Sequence, residues 1–271
     1  MVSGGGAMKR VTIVIVAVGF YLGSIGNASA EWSLNTGIEY LQWRESTAPS
    51  VTERGGLATL GLNWTQDKES GLLAAYRGKL YVGGADYEGA FLFTNQPTSD
   101  VTSYVGITNE IQAIYRAFYG TKLLSLDYIA GVGWDYWVRT IGANTDNSQE
   151  EDYGIAYGRL GIDVNSRTEH GVFGGGGIKY PFYTQEDAHF TDAGFDQNPT
   201  LHPGKLISGY AQLGYRFESS NDLILYYESY RFSQSNTVQL TSQFAPGVTF
   251  FAFQPKSTMT IIGLKYQWYF R

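Results

Sequence analysis

The chain has no cysteine, which excludes a disulfide scaffold and any thiolate metal centre. It is also poor in charge: 16% of its residues are Asp, Glu, Lys or Arg, where a soluble domain has about 25%. No stretch carries the 3.6-residue apolar period of an amphipathic helix. The only continuous apolar run, residues 11–25, falls short of the roughly 20 residues that a membrane-crossing helix needs. Clustered Lys and Arg are missing as well, so nucleic acid is not an expected partner. Three histidines in 271 residues leave little material for metal or acid–base sites.

The apolar run has a different use. It follows Lys9 and Arg10 and leads into Ala28, Ser29 and Ala30. A basic start, a short apolar middle and a small-x-small end describe a secretory signal peptide, here residues 1–30 with cleavage after Ala30. Residues 1–7 read as an upstream extension ahead of a start at Met8. Removing the signal leaves 17 of the 19 basic residues against 25 acidic ones, a balance of −8. An exported chain without cysteine can cross the periplasm unfolded with no thiol to oxidise.

From Glu31 onward, glycine and aromatic residues are abundant, with 34 Gly, 21 Tyr and 15 Phe in the full chain. Apolar residues alternate with polar ones over about ten residues at a time, the pattern of strands that face lipid on one side and a lumen on the other. Ten strands are expected, at 31–44, 56–66, 71–83, 105–119, 123–139, 152–165, 171–182, 205–218, 222–233 and 257–270. Their connections alternate without exception. Those at 66–70, 120–122, 165–170 and 219–221 are short polar turns, and those at 45–55, 84–104, 140–151, 183–204 and 234–256 are long. An up-and-down barrel has short periplasmic turns and long extracellular loops. The expected fold is therefore an all-β, transmembrane, up-and-down antiparallel barrel of ten strands spanning residues 31–271, inserted in outer-membrane lipid. Trp64, Trp134, Tyr215 and Trp268 fall where interfacial aromatic girdles belong. Residues 244–253 are apolar for a loop and are expected either to fold into the mouth as a partial plug or to extend the flanking strands.

Counting faces gives the lumen its own charged set: Glu39, Arg77, Lys79, Glu110, Arg116, Asp127, Asp135, Arg139, Arg159, Asp163, Lys179, Arg216, Glu228 and Lys265. Both signs are present in near balance, and Tyr81, Phe118, Trp137, Tyr157, Phe173, Tyr210, Tyr226 and Tyr230 point the same way. Such a set reads as a salt-bridge network filling a narrow barrel, the alternative being a selectivity lining or a ligand pocket. Gly174, Gly175, Gly176 and Gly177 sit inside a strand pattern with neither the lysine nor the helix of a phosphate loop, so no nucleotide or other cofactor is expected, and no metal.

Three resemblances add to this. Ile262, Leu264, Tyr266, Trp268 and Phe270 alternate to the end of the chain and resemble the C-terminal signal of outer-membrane barrels, which implies recognition of Tyr266, Trp268 and Phe270 by the barrel-assembly machinery. Arg271 after Phe270 departs from that pattern. Residues 38–45 (IEYLQWRE), 130–139 (AGVGWDYWVR), 227–232 (YESYRF) and 253–257 (FQPKS) resemble a widespread group of porin-like proteobacterial outer-membrane proteins. That resemblance implies the fold and the outer-membrane address, and brings no activity. Asp86-Tyr87-Glu88 and Asp187-Ala188-His189 resemble the acid pair and the Asp-x-His of omptin proteases, which are ten-stranded barrels, although omptins carry Asp where Glu88 stands. If the two loops meet across the mouth, Asp187 and His189 would activate a water opposite Asp86 and Glu88. A lipid-cutting barrel would place His and Ser on the lipid-facing wall, and no such pair is present. The expectation is a non-enzymatic barrel, structural, ligand-binding, adhesive or narrowly channel-forming, with an unidentified extracellular ligand. An omptin-like protease and a small-solute porin are the alternatives.

Overall fold

The computed structural model describes residues 30–90, 96–119, 124–143, 148–166, 170–218, 220–245 and 247–270. Residues 1–29 of the expected signal peptide, the turn at 120–122 and Arg271 lie outside the described residues. The elements are β1 (Ala30–Glu45), β2 (Val51–Gln66), β3 (Gly71–Ala90), β4 (Pro97–Tyr119), β5 (Leu124–Ile141), β6 (Gln149–Ser166), β7 (Gly171–Ala188), β8 (Thr200–Leu201), β9 (Gly204–Leu206), β10 (Ser208–Glu218), β11 (Asn221–Ser233), β12 (Val238–Thr241), β13 (Thr249–Ala252) and β14 (Ser257–Phe270), with one 3-10 turn at Phe190–Ala193.

Ten of these form the wall. Each of β1–β7 pairs antiparallel with the next, β7 pairs with β10, β10 with β11, β11 with β14, and β14 returns to β1 with Phe270 opposite Trp32. The ring is closed, so among the described residues no wall strand is left as a sheet edge. Along the wall strands the residues alternate in burial, as a period of two requires, with a break on β7 where Phe182 and Tyr183 are both exposed at a bulge. On β1, Leu34, Ile38 and Tyr40 stand exposed on the outside, while Ser33, Asn35, Glu39, Leu41 and Trp43 are buried inside. Exposed apolar residues such as Leu60, Leu80, Val105, Ile111, Val132, Leu160 and Leu225 continue this belt round the barrel. Such an area of Leu, Val and Ile facing water would be prohibitive, whereas hydrocarbon accepts it. The fold is a transmembrane antiparallel β-barrel.

The structure corrects the expected strand ends. All seven of the first wall strands run beyond their expected limit at the end where the long connections lie: β1 ends at Glu45, β3 continues to Ala90, β4 starts at Pro97, β2 at Val51, β6 at Gln149, β5 ends at Ile141 and β7 at Ala188. Three connections expected to be long are thus short, at 46–50, 91–96 and 142–148. The reason is that the outer face turns polar above the belt, with Arg44, Arg54, Asp86, Glu88 and Asp152 pointing out. A search for apolar-outside alternation stops there, although the backbone pairing does not.

Two excursions remain at this end. Residues 189–207 carry the 3-10 turn, β8 and β9, and residues 234–256 carry the β12–β13 hairpin. The hairpin lies against the other excursion, and Gln254 just beyond it donates to Glu45 in the mouth at 3.4 Å. Phe244 and Phe251 are 85% and 70% exposed, and Phe250 packs edge-on against Phe195 of the other excursion, with ring centroids 5.7 Å apart.

The glycine run on β7 makes room for side chains that fill the lumen. A Cβ on Gly175 would come within 1.9 Å of the Asp163 carboxylate, and one on Gly161, opposite Gly177, within 1.7 Å of the Tyr210 hydroxyl.

Replacing Val132, 58% exposed in the middle of β5, by Arg should destabilise the barrel in lipid bilayers by about 2–4 kcal/mol, the depth-dependent cost of a cation on the lipid face. Glu88→Ala, above the belt, should stay within about 0.5 kcal/mol. Urea unfolding of liposome-inserted protein measures both.

Candidate functional site: a stoppered lumen

The inward side chains form three tiers. At the loop end, Arg139 is 1% exposed and gathers three carboxylates: Glu151 Oε2 accepts from Nη1 at 2.6 Å, Glu53 Oε1 from Nε at 3.1 Å, and Glu45 Oε1 from Nη1 at 3.4 Å. These acids come from β6, β2 and β1 and the guanidinium from β5, so the cluster ties distant parts of the wall together. Each acid has further donors: Tyr104 hydroxyl to Glu53, Trp43 indole to Glu45 at 2.8 Å, and Tyr153 hydroxyl to Glu151 at 3.3 Å. Arg139 also lies 5.1 Å from the Trp43 ring centroid.

Packed with this tier is a column of rings. Trp137 stacks on Tyr153 at 5.0 Å, Trp43 meets Tyr153 edge-on at 5.6 Å, and Tyr230 stacks on Phe232 at 6.0 Å. All five are nearly or wholly buried and belong to one cluster with Leu41, Tyr104 and Met259.

In the middle tier the Lys179 ammonium lies 4.2 Å from the ring centroids of both Tyr157 and Tyr230, with Asp135 and Glu228 each 3.9 Å away. Tyr230, on β11, donates to Asp135, on β5, across the lumen. Lys79 donates to Glu39 at 2.6 Å, and Tyr226 donates to the same carboxylate.

The third tier, towards the short turns, is open. A cavity of about 440 Å³ is lined by Arg77, Glu110, Asp127, Arg159, Asp163 and Lys265 among others, and Glu31, Gln66, Asp67 and Ser166 line it where it reaches the turn end. Here Arg116 forks onto Asp127 at 2.8 and 2.9 Å, Arg159 bonds Glu110 at 3.3 Å, and Arg216 forks onto Asp222 at 2.9 and 3.0 Å.

All fourteen charged residues assigned to the lumen from sequence lie on inward positions of their strands. The assignment misses Glu31, Glu45, Glu53, Glu151, Glu186 and Asp222. Glu45, Glu53, Glu151 and Glu186 lie on the strand extensions, in the expected loops or at their edge, and the signal that finds them is the continued polar alternation about Arg139. Glu186, 1% exposed, sits beside this cluster with Oε2 unpaired among the described residues. It stands above the apolar belt, flanked on its own strand by the outward polar Gln185 and Asp187. Burial and the charge of Glu151 push its carboxyl well above the usual carboxylate range.

The omptin-like arrangement does not form. Asp86 and Glu88 are on β3, facing outward opposite Arg54 and Thr52, and Asp187 and His189 are at the loop end of β7, four strands away round the wall. Strands, not loops, carry the acid pair, so nothing can swing it across the mouth. Asp187 instead accepts from Thr200 at 2.6 Å and Gln185 at 2.7 Å. His189 lies between Asp152 Oδ2, 3.4 Å from Nε2, and Glu150 Oε1, 3.7 Å from Nδ1. This trio, with one ligand atom from each within 4.8 Å of the others, is the group among the described residues that could hold a metal ion, and it was not foreseen. His202 is held by the Thr184 carbonyl 2.9 Å from Nδ1, with Tyr183 edge-on.

A closed transmembrane barrel with a stoppered lumen is the class that these features define. No protein-family model matches the chain, and no curated protein matches it in sequence. Solved structures with a similar layout include the translocator domain of the autotransporter NalP from Neisseria meningitidis, at 12% identity and TM-score 0.40, covering 90% of this chain and 91% of that one. An outer membrane channel from Pseudomonas putida F1 matches at 10% identity and TM-score 0.41, covering 90% and 96%. The outer membrane protein OprG from Pseudomonas aeruginosa matches at 10% identity and TM-score 0.33, covering 91% and 98%. Likenesses of this size bear on neither the activity nor the ligand of this chain.

Arg139→Met leaves several carboxylates buried around an apolar side chain and should cost roughly 3–5 kcal/mol of unfolding free energy. Glu186→Gln should have the opposite effect. Because the folded state holds the Glu186 proton more tightly than an unfolded chain with a pKa of about 4.3, wild-type stability from this group is full in acid and is lost as pH rises through the raised folded value. The variant should therefore resist urea better than wild type at pH 8, and the difference should vanish at pH 4.

Proposed function

We propose that the protein is an integral outer-membrane barrel of a bacterial envelope that neither catalyses a reaction nor conducts solutes, and serves as a binding or adhesive element. In this reading the chain is exported through the periplasm and inserted by the barrel-assembly machinery through Tyr266, Trp268 and Phe270. Its turn end then faces the periplasm and its loop end faces outward. The observation that carries the proposal is the stopper: Trp43, Trp137, Tyr153, Tyr230 and Phe232, closed over by Arg139 and its acids, fill the loop half of the lumen at 8% exposure or less. A small-solute porin needs a continuous wet path, and a protease needs a nucleophile-activating group facing a cleft. Neither is supported by this geometry. External contacts would fall to the two excursions, where Phe244, Val248, Phe251 and Phe253 are exposed on a short hairpin.

Purified, folded protein in planar bilayers should show no stable conductance steps at moderate voltage. The double variant Trp137→Ala/Tyr230→Ala, which empties the middle of the ring column, should show openings that wild type lacks. Stable steps from wild-type protein would overturn the proposal. Deleting residues 239–251 should abolish capture of any external ligand while leaving heat-modifiable gel migration unchanged.

A further inference from the structure

The outer wall at the loop end carries a group of ligating side chains that the stopper does not use. Glu150 and Asp152 are two residues apart on β6 and share its outward face. On β7, Asp187 stands opposite Asp152. The chain keeps this alignment one residue past the strand, where the His189 amide donates to the Glu150 carbonyl at 3.0 Å. The register therefore sets His189 beside Glu150 and Asp187 beside Asp152, at the root of the 189–207 excursion.

Charge does not balance on this face. Among the described residues, no Lys or Arg nitrogen lies within 4.0 Å of the Glu150, Asp152 or Asp187 carboxylates, so three acids share one imidazole. The residues opposite Glu150 and Asp152 on β5 are Thr140 and Val138, and the one opposite Asp187 on β8 is Thr200. None of these brings a counter-charge. Thr200 and Gln185 already donate to the two oxygens of Asp187, which leaves that acid as a flanking negative charge. Glu150, Asp152 and His189 are all partly buried, so the like charges are less well screened than on an open surface.

The spacing is that of metal ligands more than of hydrogen bonds. His189 Nε2 is 3.4 Å from Asp152 Oδ2 and Nδ1 is 3.7 Å from Glu150 Oε1, and the imidazole makes a hydrogen bond to neither carboxylate. Ligand atoms held about 2.0–2.2 Å from one zinc ion stand roughly 3.0–3.5 Å from one another. One ligand atom from each of the three residues lies within 4.8 Å of the other two, so a turn of the Glu150 side chain gathers the set. Asp152 is already oriented for it. Tyr136, on β5, donates to Oδ1 at 3.1 Å and leaves Oδ2 towards His189, the kind of bond that fixes a ligating carboxylate.

We propose that Glu150, Asp152 and His189 bind a first-row divalent transition ion of the zinc class, with water in the remaining positions and Asp187 adding to the field that attracts it. Two carboxylates neutralise the ion, and the imidazole selects it over calcium and magnesium, which take oxygen ligands. Both acids belong to β6 and the histidine is the first residue of the excursion, so the ion fastens the excursion to the wall. The site lies outside the lumen and does not depend on the stopper.

Calorimetric titration of the full mature barrel, freed of metal by a chelator and held in neutral detergent near neutral pH, tests the site with zinc chloride. Saturable one-to-one binding is expected, weakened about tenfold or more in His189→Gln and in Asp152→Asn and lost in the double variant. His170→Gln, at the opposite end of the barrel, should leave it unchanged. Calcium in tenfold excess should not displace the zinc. In wild-type protein, which needs no variant to fold, zinc should also slow carbethoxylation of His189 by diethyl pyrocarbonate, read by mass spectrometry, while His170 reacts alike with and without it. No saturable binding, binding or protection indifferent to His189 and Asp152, or displacement by calcium would each overturn the proposal.

Discussion

A ring of ten strands encloses a space only a few side chains across, and every polar group aimed into it must find its partner there or keep water with it. This constraint organises the molecule. It places Arg139 among three acids from three other strands, seats Lys179 between two tyrosine rings, and turns Tyr230 towards Asp135 on the far wall. Aromatic residues suit the task because one ring fills a large part of the lumen while its hydroxyl or indole nitrogen satisfies a carboxylate. Tyr104, Tyr157, Tyr226 and Trp43 all work in this way.

Within the bilayer the sequence was readable because the two faces of each strand meet opposite solvents. Ser125, Asp127 and Asp135 inside against Leu124, Tyr128 and Val132 outside leave no doubt about which way β5 faces, and the turns place its partners. Above the bilayer both faces are polar, so the contrast that marks a strand disappears although the hydrogen-bond ladder continues through Arg54, Asp86 and Asp152. For that reason the expected strands end early, and Glu45, Glu53, Glu151 and Glu186, like Asp86 and Glu88, fall within expected loops. The trio of Glu150, Asp152 and His189 was illegible for another reason. It depends on the register between β6 and β7 and on the turn of the chain after Ala188, and local composition encodes neither.

The two ends of the lumen differ in kind. The loop end is ring-filled and cross-linked by ion pairs, and the turn end holds a cavity of about 440 Å³. The difference follows from residue size along the strands: Trp43, Tyr104, Trp137 and Tyr153 crowd one half, while Ser33, Asn35, Asn63 and Ser125 line the other.

The bonds that span the lumen bear on how the barrel forms. Glu45 and Arg139 are 94 residues apart in sequence, Asp135 and Tyr230 are 95 apart, and Glu39 and Tyr226 are 187 apart. Each joins strands that are not neighbours in the wall, so none can be made while the sheet is flat and its inner face has not curled round to meet itself. An incomplete sheet would therefore hold charges and hydroxyls against an apolar surface with nothing to satisfy them, and each additional strand would add to that burden until closure relieves all of it together. Insertion of this chain should consequently be an all-or-none event, with the last strand acting as the latch for an interior assembled from both ends of the sequence.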